Sequence, residues 1–67
     1  MKDWIKIETY SNEQIAVLKK DLLQEHGIEG VLLSKRDSSY PSIGVIELYC
    51  HLTQAHQALE IISDENY

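Results

Sequence analysis

The chain contains a single cysteine, Cys50, so no disulfide can form within it. Phenylalanine is absent, and proline and tryptophan occur once each. Six basic residues stand against eleven acidic ones, a formal net charge of −5. Nucleic-acid binding relies on neutralising many phosphates with Lys and Arg, and no basic stripe exists to do so, which sets that class aside. No apolar run approaches the ~18 residues of a membrane helix. Met1-Lys2-Asp3-Trp4-Ile5 leads straight into a strand-like pattern without the apolar stretch of a signal peptide. The expectation is a soluble, cytoplasmic protein, and one unpaired cysteine agrees with a reducing compartment.

What remains is the composition of a folded domain. Of 67 residues, 43% are hydrophobic and 25% charged, which is too many aliphatic residues for a disordered chain. A chain this short is at most one domain, expected over residues 1–63 with 64–67 as a frayed tail. Below ~70 to 80 residues one core seldom supplies more than ~3 to 5 kcal/mol, and small domains add disulfides, a metal or oligomerisation. With the first excluded and the second disfavoured below, self-association is the expected support.

Trp4-Ile5-Lys6-Ile7-Glu8-Thr9 alternates apolar and polar residues, the period-2 pattern of a half-buried strand. Ser11 with Gln14 fits a capping box that opens a helix over about 12–26, closed by Gly27. Its apolar stripe is Ile15, Leu18 and Leu22, widened by Ala16 and Leu23, with Lys19, Lys20, Asp21 and Gln24 on the remainder. Val31 to Lys35 reads as a second strand, and Arg36 to Gly44 as a loop rich in turn formers around Pro41. Val45 to His51 alternates most clearly and reads as a third strand, with Ile46, Leu48 and Cys50 on one side. Thr53 is a plausible N-cap for a last helix that lays Ala55, Ala58, Leu59 and Ile62 on one face.

The order is thus β-α-β-β-α, an α+β domain. The first helix reads as a crossover between parallel strands, and the second and third strands as a hairpin. Placing the third strand centrally gives spatial order 1-3-2, a ferredoxin-like sheet lacking its fourth strand, with order 1-2-3 as the alternative. Both helices are expected over Ile5, Ile7, Ile46, Leu48 and Cys50, joined by Val31 and Leu33. The opposite face would then carry Trp4, Lys6, Glu8, Leu32, Val45, Glu47, Tyr49 and His51. Apolar and aromatic residues among charges are the makings of a modest interface, for which Trp4, Leu32, Val45 and Tyr49 are the candidates. A merely solvated sheet face is the competing reading.

Lys35-Arg36-Asp37-Ser38-Ser39-Tyr40 is the densest set of hydrogen-bonding groups in the chain. Two cations with serine hydroxyls and loop N–H groups could hold an anion or a partner, although no glycine-rich phosphate loop is present. The alternative is a solvated loop whose Asp and Ser side chains bond their own backbone. Cys50, His51 and His56 are close in sequence, but alternation sends the first two to opposite faces, so no metal site is expected. His26 suits the negative end of the first helix. The serines lack the Gly-x-Ser-x-Gly elbow, no paired carboxylates bracket a cleft, and a domain of this size has little room for one. No enzymatic activity and no cofactor are expected.

Trp4-Ile5-Lys6-Ile7, Leu22-Leu23-Gln24-Glu25-His26-Gly27-Ile28, Lys35 to Tyr40 and Ile46-Glu47-Leu48-Tyr49 before Ala58-Leu59 together give a resemblance. The chain resembles a family of short bacterial domains named as prokaryotic signal-transducing proteins, whose function is unknown. Asp37-Ser38-Ser39-Tyr40 is its most specific part. The resemblance implies a ferredoxin-like or GlnB-like domain. In the PII proteins of that class, the loop after the second strand contacts partners and carries a modifiable tyrosine in some members, a place comparable to Tyr40. No catalytic or ligand-binding role follows from it. The sequence therefore leads to a non-enzymatic interaction or signalling module that binds a protein partner or itself through the open face and the 35–40 loop, with self-association the expected state. A sensor of anions or nucleotides through that loop is the alternative.

Overall fold

The structure, a computed structural model, describes residues 2–36 and 44–64. It has the order β1 (Trp4–Tyr10), α1 (Glu13–Glu25), β2 (Gly30–Arg36), β3 (Gly44–His51), a single 3-10 turn (Leu52–Gln54) and α2 (Ala55–Asp64). The three strands form one sheet in the order β1-β3-β2, and β3 pairs antiparallel with both neighbours. β1 and β2 therefore run parallel to one another on either side of β3, and α1 is the connection between them. Asp37, Ser38, Ser39 and Tyr40 of the candidate loop lie outside the described residues.

One core joins the helices to the sheet. Leu23 of α1, Ile28, Leu48 and Cys50 of the sheet, and Ala55, Ala58 and Ile62 of α2 are its buried members, with Ile5, Ile7, Tyr10, Leu32 and Ile61 packed against them. Both helices thus cover the face of β3 that carries Leu48 and Cys50. Small side chains at Ala16, Ala55 and Ala58 bring the helices close to their neighbours. Gly30 does the same for α1 and the sheet. A Cβ there would stand 3.2 Å from Leu48 Cδ1 and 3.4 Å from Lys20 Cγ.

The caps differ in detail from those expected. α1 is capped by Asn12, one residue beyond Ser11, whose Oδ1 accepts the Ile15 N–H at 3.2 Å. Its end is a Schellman motif: the Gly27 N–H donates to Gln24 O at 3.0 Å and the Ile28 N–H to Leu23 O at 2.9 Å, with Gly27 at φ +77°. Ile28 and Leu23, which this motif brings together, both enter the core. The 3-10 turn is capped by His51 in place of Thr53. α2 continues through Ser63 to Asp64.

Three faces are turned relative to the sequence reading. Leu18 is 48% exposed, whereas Lys19, assigned to the solvent side, is only 7% exposed and donates from Nζ to Ile62 O at 3.0 Å. The lysine stem lies along apolar surface while its ammonium satisfies a carbonyl in the last turn of α2, where the helix dipole favours a cation. Leu59 of α2 is likewise exposed, and Ile61 takes its place against the core. In β2 the phase is reversed. Gly30, Leu32 and Ser34 pair with Cys50, Leu48 and Ile46 on the helix side, so Leu32 packs against the core and Val31 and Leu33 face outward. The cause is Gly30, the position that tolerates α1 overhead, since period 2 then fixes every residue after it. In β1 a bulge between Lys6 and Glu8 shifts the register, placing Glu8 opposite Leu48 and Tyr10 opposite Ile46. Tyr10 thereby extends the strand and turns its ring into the core.

Candidate interaction surface

The face without helices is centred on Val45, Glu47, Tyr49 and His51 of β3. Register adds Trp4 beside His51, Lys6 and Val31 on either side of Tyr49, Thr9 and Leu33 on either side of Glu47, and Lys35 beside Val45. Of the expected interface residues, Trp4, Val45 and Tyr49 lie here and Leu32 does not. Val31, Leu33 and Thr9 are the members that the sequence reading missed. The signal for the first two was Gly30, whose requirement for inward placement sets the phase of β2.

Glu47 is the most enclosed residue of this face, 8% exposed although no helix covers it. Its neighbours fold over it. The Tyr49 hydroxyl donates to Oε1 at 2.9 Å, Lys6 Nζ donates to Oε2 at 3.4 Å, and Lys35 Nζ lies 3.7 Å from Oε1. The Tyr49 hydrogen bond, and then the two lysines, hold the Glu47 carboxyl below its usual range despite partial desolvation. The same hydrogen bond, with desolvation and the carboxylate charge, pushes the Tyr49 phenol up. Such a carboxylate is held as an anion with both oxygens engaged. Its role here is to anchor Tyr49, Lys6 and Lys35 across three strands.

At one end of the face Trp4 and His51 meet edge-on, with ring centroids 6.0 Å apart and planes at 73°. His51 is held from behind: its Nδ1 accepts the Thr53 N–H at 3.2 Å and lies 2.8 Å from Thr53 Oγ1. The surface therefore reads from an aromatic end, through the Tyr49–Glu47–Lys cluster flanked by Val31 and Leu33, to Val45.

The other candidate residues are dispersed. Cys50 is buried in the core, where desolvation pushes its thiol up, and His51 is on the opposite face. His56 pairs with Glu60 of α2 at 3.0 Å. Among the described residues no three His, Cys, Asp or Glu side chains are placed to hold a metal ion. His26 Nδ1 lies 3.0 Å from Leu22 O at the end of α1. An open cleft of about 560 Å³ lies at that end, lined by Lys20, Gln24, Gly27, Ile28, Glu29 and Gly30. Of the 35–40 loop, Lys35 is engaged by Glu47 and projects from the sheet face. No described helix is long and apolar enough to cross a membrane. Comparison with protein-family models, with curated protein sequences and with solved structures found no significant match.

Proposed function

We propose that this chain is a non-enzymatic protein-interaction module of the cytoplasm, working as an assembly of its own copies, with the helix-free sheet face as its binding surface. The observation that carries the reading is the composition of that face. Partly buried Val31, Leu33, Val45 and Tyr49 surround a carboxylate whose ion pairs hold the side chains in place, and Trp4 borders them. Aromatic anchors beside ordered charged groups are the usual content of an interface centre, and side chains already immobilised lose less entropy when a partner arrives. We read the β-α-β-β-α order as a ferredoxin-like plan without a fourth strand, in keeping with the resemblance to short bacterial signal-transducing domains.

The size of the face bears on how it works. Three strands at ~4.8 Å spacing and seven residues at ~3.3 Å give an outline of roughly 14 by 23 Å. A standard interface takes ~800 Å² from each partner. A single copy therefore offers only part of such a surface, which supports action as an assembly.

Wild-type chain and the Trp4→Ala/Tyr49→Ala variant, immobilised in parallel and exposed to an extract of the source cells, test the reading. Proteins retained by the first and lost from the second support it. Equal retention by both would overturn it.

A further inference from the structure

The order β1-β3-β2 leaves two sheet edges, and they are unlike. β1 is bulged between Lys6 and Glu8, the kind of irregularity that protects an edge from pairing. β2 is matched to β3 at all seven positions from Gly30 to Arg36 without a shift. Among the described residues no backbone hydrogen bond involves its outer side. An unbulged edge with an apolar stretch is a template for another strand.

We infer that two copies of this chain join along β2, antiparallel about a twofold axis normal to the sheet, into one six-stranded sheet. This rests on the proposed use of the open face, which the pairing extends into a single continuous surface. The axis keeps all four helices on one side, and directly opposed residues must then share a face. Centring the pairing on Leu32 meets that condition. Leu32 lies opposite Leu32 of the second copy on the helix side, and Val31 lies opposite Leu33 on the open side, twice by symmetry. The same register sets exposed Glu29, just before the strand, across from exposed Lys35 near its end. β2 is acidic at one end and basic at the other, so only the antiparallel arrangement matches opposite charges. A second feature agrees. Val17 of α1 is 42% exposed. By helical spacing it shares a flank with Lys20 and Gln24, the side chains that line the cleft beside Gly30. Pairing along β2 sets the Val17 flanks of two α1 helices side by side.

Sedimentation equilibrium of the full chain tests the pairing, with circular dichroism to verify folding. The wild type is expected at twice its 7.7 kDa. Glu29→Lys opposes like charges at both ends and is expected to weaken the dimer on the order of tenfold. Glu29→Lys/Lys35→Glu restores opposite charges and the dimer, with Glu47→Gln in every protein compared so that the reversed charge does not face that carboxylate. A monomeric wild type, or a dimer indifferent to Glu29→Lys, overturns the inference. A dimer lost instead in Trp4→Ala/Tyr49→Ala would place the contact on the open face and also overturns it. Loss of partner retention by that last variant with its dimer intact would leave both this pairing and the proposed binding surface standing.

Discussion

Tyr10 offers a direct check on the packing, because its ring and its hydroxyl make opposite contributions. The bulge in β1 sets Tyr10 opposite Ile46 and turns the ring against the core cluster. The hydroxyl is buried and, among the described residues, has no hydrogen-bond partner. A buried unpaired hydroxyl costs about 1 to 3 kcal/mol relative to its hydrated state. Tyr10→Phe keeps the ring and removes that cost, so a gain of about 1 kcal/mol is expected, since removing the oxygen also leaves a small void. For a domain of this size the gain corresponds to a rise in Tm of ~4 to 8 °C. Desolvation, assisted by Glu8, raises the Tyr10 phenol from its ordinary 10.0 to about 12. The sign follows from the raised value. Folding favours the neutral phenol, so this contribution is complete below pH ~10 and is lost as pH rises toward 12. Thermal melts by circular dichroism from neutral pH to pH 11 should show the wild type losing stability on the alkaline side faster than Tyr10→Phe. A variant destabilised by 1 kcal/mol or more at neutral pH would mean that the hydroxyl is partnered, and would refute this reasoning.

Gly27→Ala should cost about 1 kcal/mol, since a Cβ at φ +77° meets no atom of the described residues within 4 Å and the penalty is one of backbone conformation. Gly27→Asn should recover part of it in the same melts. Folding holds the Glu47 carboxyl below its usual range, so the stability it contributes is present above that range and falls as acid protonates it. Glu47→Gln should flatten this acid limb of the stability profile. Cys50 is fully buried with its thiol pushed up, so it should resist a thiol reagent at neutral pH and react at the rate of unfolding. Fast labelling of the native protein would contradict the packing of β3.

The strands, helices and their order were legible because alternation in β3 and the apolar spacing in the helices are strong local signals. The crossover and the hairpin allow the orders 1-3-2 and 1-2-3, and the structure takes the first. The phases of β1, β2 and α1 were harder to read, each for a physical reason. Val31, Leu32 and Leu33 are all aliphatic, so period 2 has nothing to grip within the run, and the decisive residue is Gly30 outside it. β1 alternates cleanly until a bulge that its side chains do not announce. Lys19 reads as a solvent residue because its charge dominates its hydropathy, whereas its stem packs and its ammonium reaches Ile62 O. The open face was thus foreseen in outline through Trp4, Val45 and Tyr49. Its apolar flank, Val31 and Leu33, came only with the register of β2.

The mass of the chain in solution, compared between the wild type and Trp4→Ala/Tyr49→Ala by light scattering, bears most directly on the account. It predicts twice 7.7 kDa for both proteins, since β2 joins the copies and the open face stays free. A wild type that remains at 7.7 kDa at every concentration would contradict it.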